Sequence, residues 1–499
     1  MATRPFHPGP SVRALALGCA LAATAFGACT PSASRGGGEA EARQRLVTAI
    51  EGALADSSMA GVGRAVHVVS LDRGDTLYSS EPDRLYTPAS NLKLFTAASA
   101  LLELGPDYRF TTTLVATGEI DGDTLRGDLV LIGRGDPDLV TEDLAALADT
   151  LVANGVRVVA GDVRADASWF DDVEWGPGWM WDDGPFWYWP YVSALTLDDN
   201  AVTLVVRPGE IPGDTVRVAL DPPTDYMAVN VRAVTLPADS EATVEVTRHW
   251  TPKANVVDVE GGLAAGADSV VAIRTVEDPA LYGATVFGEL LERRGVEVTG
   301  AIRRGPLGAG AVADTIARHV SDSLAASVRN FLKISDNLTG EQLVKTLGAE
   351  TAGPPGSYPT GLAAERRVLA AEAGLDTTRF RLADGSGVSR YNLVTARGIV
   401  ELLAAMHARE DLREVWRAAL PIAGVDGTLE ERMRGTAAEN RARAKTGTLS
   451  GVTALSGYVP SATGEELAFS IVFEFFTGPA TPRRAVQDSI VAALARFAR

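Results

Sequence analysis

Between residues 112 and 310 the sequence changes texture, and the change limits the architectures open to it. Short β-branched runs recur there, at 128–132, 156–163, 201–206, 216–220 and 242–246, separated by Gly, Pro and Asp. One helical pattern, at 280–294, interrupts them. Outside this stretch, helical and strand patterns alternate. A helix is expected over 41–56, strands over 66–71 and 76–78, and a helix over 90–104 that Gly105-Pro106 stops. Further on, helices at 323–332 and 338–347 precede a Gly/Pro-rich loop at 353–361. Strands at 442–448, 453–459 and 467–475 and an amphipathic helix at 482–497 close the chain. The expected fold is therefore α/β (α+β): one domain with an antiparallel sheet and helices, built from residues 41–111 and 312–499 and interrupted by a β-rich insertion over 112–311. The 499 residues leave room for about three domains.

The net charge of −18 excludes a nucleic-acid partner, which needs a basic footprint. Basic residues are unevenly divided: 41 are Arg and only five are Lys (Lys93, Lys253, Lys333, Lys345, Lys445). Lys can give up its proton in a protein and Arg cannot, so positions that keep Lys merit inspection. The first 28 residues read as a signal peptide, with Arg4 and Arg13 ahead of a 13-residue apolar run at 14–26 that is too short to span a membrane. It ends at Phe26-Gly27-Ala28-Cys29, similar to a bacterial lipobox, so lipidation of Cys29 is expected, with Phe26 where Leu is usual. Ordinary cleavage after a small residue nearby is the alternative. Residues 29–40 read as a tether, flexible by the composition of 30–38. An exported protein follows, periplasmic or at the cell surface. The only cysteines are Cys19 and Cys29, which leaves no disulfide and no Cys-based metal site in the mature body.

Three motifs occur in order: Ser90-Asn91-Leu92-Lys93 (S-x-x-K), Ser335-Asp336-Asn337 (S-D-N) and Lys445-Thr446-Gly447, followed by Thr448. Ser90 and Lys93 stand three apart at a helix start and share a face. A serine hydroxyl is a poor nucleophile until a base takes its proton. Lys93 is such a base only when neutral, which costs about 4.6 kcal/mol at pH 7 from an ordinary pKa. Burial and a second cation, Lys445, lower that cost. Ser335 is placed to relay the proton to a leaving amine. Residues 445–448 read as an edge strand on which Gly447 lets a substrate backbone lie, while Lys445, Thr446 and Thr448 meet a substrate carboxylate. The N–H groups of Ser90 and Thr448 are candidates for an oxyanion hole. Taken singly, each motif has an ordinary reading: Ser90 as a helix cap, Lys93 and Lys445 as solvated.

With these motifs the chain resembles the D-alanyl-D-alanine carboxypeptidase/endopeptidase family, the class C low-molecular-mass penicillin-binding proteins. The likeness extends to LYTPASNLK (85–93), GPDYRF (105–110), GDLVLIGRGDPDL (127–139), GPGWMWDD (176–183), DGSGVSR (384–390) and AGVDGTL (423–429). Ser90 and Ser335 are 245 residues apart, a gap far wider than in serine β-lactamases. The resemblance implies a penicillin-binding/β-lactamase-like domain whose insertion is two nested domains. It implies Ser90 attack on the penultimate D-Ala carbonyl of a peptidoglycan stem peptide through an acyl-enzyme, with Lys93, Ser335, Asn337 and Lys445 catalytic. It also implies Ser90 acylation by β-lactam antibiotics and no cofactor. Arg390 falls in an element that the family sets beside the cleft, where it would bind an acidic group of the stem peptide. A surface arginine is the alternative. Ser450 replaces a longer polar side chain of some relatives.

Six of the eight tryptophans lie within 169–189 and read as packing or as an aromatic platform. Asp182-Asp183 and Asp198-Asp199 read as caps and turns before metal or glycosidase groups. No metal site is expected, and no H-E-x-x-H, G-x-S-x-G or P-loop occurs. A β-lactamase or esterase on the same scaffold, and a catalytically dead wall-binding protein, are the rival functions.

Overall fold

The computed structural model describes residues 33–180, 184, 186–249, 254–308 and 310–499. The signal peptide and Cys29 lie outside the described residues, as do Trp181, Asp182 and Asp183. Five antiparallel strands form the central sheet, in the order Thr76–Ser80, Gly63–Ser70, Glu466–Glu474, Val452–Pro460, Arg443–Leu449. The first strands of the chain thus pair with its last, Val66 opposite Ile471. Glu466–Glu474 and Val452–Pro460 are buried along nearly their whole length. Helices cover both faces, so these strands read as near-continuous apolar runs instead of alternating.

On one face the helices Ala33–Leu54 and Thr481–Arg496 share a core with the sheet through Leu46, Ile50, Leu54, Ile490, Val491, Phe469 and Ile471. On the other, Lys93–Leu104, Asn337–Ala352, Tyr358–Glu372 and Ala396–Ala408 meet around Phe95, Leu101, Leu343, Leu369 and Leu403. Each such fully buried side chain contributes about 1.5–3 kcal/mol of transfer free energy.

Several elements depart from expectation. The first helix begins at Ala33, through the glycines at 36–38 where composition predicts a tether, although its buried stripe starts only at Ala42. Extending a formed helix avoids the cost of a new nucleus, and Glu39 pairs with Arg73 at 3.1 Å. The expected loop at 353–361 ends early, because Ser357 caps the helix Tyr358–Glu372 and Pro359 suits its first turn. The run at 156–163 splits into Val158–Val159 and Val163–Asp166.

Strands between residues 111 and 320 form sheets separate from the central one. Ile302–Arg304, Val163–Asp166, Leu129–Gly133, Thr111–Ala116 and Asp314–Val320 form one, flanked by the helices Thr141–Ala153 and Pro279–Arg293. Because Asp314–Val320 pairs with Thr111–Ala116, the chain leaves this sheet after Val320, and the expected return at residue 312 falls just before that strand. Between Ala201 and Thr275 lie two three-stranded sheets and a two-stranded one that share no strand with it. No helix among the described residues is long and apolar enough to cross a membrane.

Candidate active site

Ser90 sits in a 3-10 turn, Ala89–Leu92, and the α-helix starts only at Lys93. In a 3-10 turn residues i and i+3 eclipse, so Lys93 is stacked on Ser90, with Nζ 3.1 Å from Oγ. Ala89, fully buried, has φ of 47°, a conformation that costs a residue with a Cβ about 1–3 kcal/mol. Its surroundings hold it there. A Cβ at Gly447 would stand 2.7 Å from the Pro88 carbonyl oxygen, and one at Gly387 2.0 Å from that of Ala89. Gly447 therefore lets the edge strand close on the turn that carries Ser90. Asn91 Nδ2 ties the same turn to the Lys445 carbonyl at 3.1 Å.

Ser335 ends a π-helical turn, Phe331–Ser335, with φ of 64°. Asp336 caps the next helix, accepting from the N–H groups of Leu338 (3.3 Å) and Thr339 (2.6 Å), so Asn337 becomes its first residue. Asn337 Oδ1 accepts from Lys93 Nζ at 2.6 Å, and its Nδ2 donates to the Tyr188 carbonyl of the insertion at 2.5 Å. Lys445 Nζ donates to Ser335 Oγ and to the Thr446 carbonyl, both at 2.9 Å. The structure thus brings Ser90, Lys93, Ser335, Asn337 and Lys445 into one cluster.

Both lysines are fully buried. Burial lowers the pKa of Lys93 to about 8, against the pull of Asp336, Asp384 and Glu341. Burial also pushes Lys445 well below its ordinary value, and Lys93 adds to that. Lys93 has three acceptors around it: Ser90 Oγ, Asn337 Oδ1 and the Ser386 carbonyl at 2.7 Å. A neutral amine there gives its two hydrogens to Asn337 and Ser386 and aims its lone pair at the Ser90 hydroxyl.

Ser386 is itself held from behind. Glu341, fully buried, accepts from the N–H groups of Gly385 at 3.1 Å and Ser386 at 2.8 Å. Burial, with Asp384 nearby, pushes the Glu341 carboxyl up. Asp384 gathers Trp179 Nε1 (2.9 Å), Gly387 N (2.9 Å), Ser389 N (2.6 Å) and Asn392 Nδ2 (2.7 Å). Neither carboxylate was marked by sequence; the family element 384–390 was the only pointer to Asp384.

Two clefts meet at Ser90. One, of about 460 Å³, is lined by Met180, Trp187, Tyr188, Trp189 and Arg390. Arg390 is exposed and donates to the Ser450 carbonyl at 2.8 Å. The tryptophans divide: Trp179 packs against Trp175 and bonds Asp384, whereas Trp187, 42% exposed, lines the cleft. The other cleft, of about 410 Å³, is lined by Thr428, Arg432, Thr446, Thr448 and Arg484. Arg443–Leu449 is a sheet edge, as expected. Asp198 lies apart and caps Thr141. Among the described residues, no group of three His, Cys, Asp or Glu is placed to hold a metal ion.

A five-stranded antiparallel sheet between helical layers, with a serine–lysine pair at its edge strand, is the penicillin-binding/β-lactamase-like fold. Penicillin binding protein 4 (dacB) from Haemophilus influenzae superposes with a TM-score of 0.77 at 25% identity, over 91% of this chain and 99% of its own. The chain belongs to the D-Ala-D-Ala carboxypeptidase 3 (S13) family, whose model matches residues 46–497. It is 42% identical to a D-alanyl-D-alanine carboxypeptidase of Actinomadura sp. (strain R39) over 90% of this chain and 84% of that one. Identity to D-alanyl-D-alanine carboxypeptidase DacB of Haemophilus influenzae is 29%, covering 79% and 81%.

Proposed function

We propose that the protein is a serine-type D-Ala-D-Ala carboxypeptidase, with endopeptidase action on cross-links by the same chemistry, acting on peptidoglycan stem peptides. The observation that carries this is the buried Lys93 ammonium group, 3.1 Å from Ser90 Oγ and flanked by a second buried lysine. Two such cations repel, which eases loss of the proton from Lys93. In the reactive form Lys93 is neutral and Lys445 is protonated. Lys93 takes the Ser90 proton as Oγ bonds to the penultimate D-Ala carbonyl carbon. The N–H groups of Ser90 and Thr448 stabilise the oxyanion. The C–N bond breaks, and the leaving amine receives a proton from Ser335, resupplied by Lys445. Water then attacks the ester and gives its proton through Ser335 to Lys445, while Ser90 reclaims its own from Lys93.

Thr446, Gly447 and Thr448 form the substrate-binding edge, and Arg390 meets an acidic group on the stem peptide. β-Lactams acylate Ser90. No cofactor takes part. The chain is exported to the periplasm or cell surface and anchored by lipid at Cys29, a reading that rests on residues 1–29 alone. The insertion reads as two nested domains, the inner one over residues 201–275, supported by sheets that share no strand. Mass spectrometry of muropeptides digested with the purified protein tests the function. Release of D-Ala from pentapeptide stems, lost in Ser90→Ala, is expected. An unchanged muropeptide profile overturns it.

A further inference from the structure

The leaving group of a carboxypeptidase carries a free α-carboxylate, and motif reasoning gives it Lys445 as counter-cation. The structure turns Lys445 away from that duty. Its side chain is fully buried, and two of its three ammonium hydrogens go to Ser335 Oγ and the Thr446 carbonyl. Thr446 is committed too, donating its hydroxyl to Thr428 Oγ1 at 2.7 Å. A cation that faces the cleft is better placed to meet the carboxylate.

The cleft on the far side of Ser90 holds two candidates, from elements that no motif marks. Arg432 is already neutralised. Its Nε and Nη2 lie 3.0 and 2.6 Å from Asp488 Oδ1, and Nη2 also reaches the Arg484 carbonyl (3.3 Å) and Gln487 Oε1 (3.2 Å). It fastens the start of the helix Thr481–Arg496 to the loop beside the edge strand. Arg484, on that helix, is different. Its Nη2 donates to Thr448 Oγ1 at 2.9 Å, and among the described residues it has no carboxylate within 4.0 Å. Two guanidinium groups with one carboxylate nearby leave a surplus positive charge at the mouth of the cleft, and burial, then Arg432, lower the pKa of Arg484. Thr448 Oγ1 accepts from Arg484, so its own O–H remains free to donate outward.

We propose that Arg484, together with the Thr448 hydroxyl, is the receptor for the free α-carboxylate on the leaving side of the scissile bond, and so a specificity-determining residue. The proposal rests on the carboxypeptidase reading above. A guanidinium fork matches a carboxylate in a way an ammonium does not, and it carries its charge without regard to the proton traffic between Lys93 and Lys445. A cation outside the proton relay can hold substrate through the whole cycle.

The test compares an N-acylated peptide ending in D-Ala-D-Ala with the same peptide ending in the carboxamide, and benzylpenicillin with its methyl ester. Wild-type enzyme is expected to favour each free acid by roughly 10- to 100-fold in kcat/KM or acylation rate, the range for a charged hydrogen-bonding partner. In Arg484→Ala both preferences should fall to near one, and Arg484→Lys should restore part of them. An equal loss on acid and amide would make Arg484 merely structural and overturn the proposal, as would an undiminished preference. Should wild-type protein process none of the four compounds, the carboxypeptidase reading itself has failed, a result distinct from failure of the Arg484 assignment.

Discussion

Lys93 owes its chemistry to where its neighbours stop. Three carboxylates raise its proton affinity from a distance, yet none touches it, and burial prevails. Acylation by benzylpenicillin should therefore rise as pH increases through about 8, since the reactive amine is the deprotonated one and its pKa is lowered from an ordinary 10.5. A stopped-flow pH profile with its inflection near 10 would refute that. Lys93→Ala should abolish acylation. For Lys445→Ala, the bonds to Ser335 and Thr446 shift the expectation from substrate capture to proton delivery: kcat at saturating peptide should fall by two orders of magnitude or so, the usual reach of general acid–base groups, with KM little changed. Steady-state kinetics separates the two. At this scale the sequence was informative wherever chemistry demands a rare residue. Two of the five lysines lie in the motif trio, whereas Arg484 is one arginine among 41 and 36 residues from Thr448, with nothing local to mark it. The left-handed Ala89 was equally silent, because the glycines packed against its turn lie hundreds of residues away in the chain.

Helices deliver these residues through their starts and the edge strand through its middle. The 3-10 turn before Lys93–Leu104 and the π-turn before Asn337–Ala352 supply irregular backbone, whereas Lys445 to Thr448 lie within Arg443–Leu449. Asp336 shows how the S-D-N motif works as architecture: the aspartate is a cap, and its flanking residues meet the two buried lysines. Asp336→Ala should lower stability by about 1 kcal/mol, seen as a small drop in thermal midpoint, and should also weaken acylation because Asn337 loses its anchor. Gly447→Ala should cut penicillin acylation by tenfold or more, since the new Cβ would press on Pro88 and part the strand from the nucleophile turn. Normal labelling of that variant would contradict the packing described. Periodicity found the last three strands to within a residue or two, because two of them are long and apolar. It missed Tyr358–Glu372, whose start hides in Gly and Pro, and Thr141–Ala153, which lies inside a stretch read as β-rich.

In the whole molecule, the insertion is fastened to the catalytic sheet region by polar bonds as well as by apolar contact. Trp179 Nε1 reaches the fully buried Asp384, and Lys345 reaches Asp171 at 2.6 Å. Trp179→Phe would leave Asp384 one donor short, at a cost of about 1–3 kcal/mol, measurable by denaturant unfolding. Because Asp384 also holds the loop through Gly387 and Ser389, the same variant should slow acylation. No local pattern marks the pairing of Asp314–Val320 with Thr111–Ala116, because the two strands are about two hundred residues apart in the chain.

Asn337 gives one amide two opposed duties. Its oxygen faces the amine of the base and its nitrogen faces a carbonyl of the aromatic loop. The group therefore has a polarity that cannot be reversed: a half-turn about its bond would set donor against donor and acceptor against acceptor. Aspartate, identical in outline, would violate both ends at once, clamping the base in its cationic form while repelling the loop. A single near-isosteric exchange there would close down the chemistry and loosen its roof in one stroke.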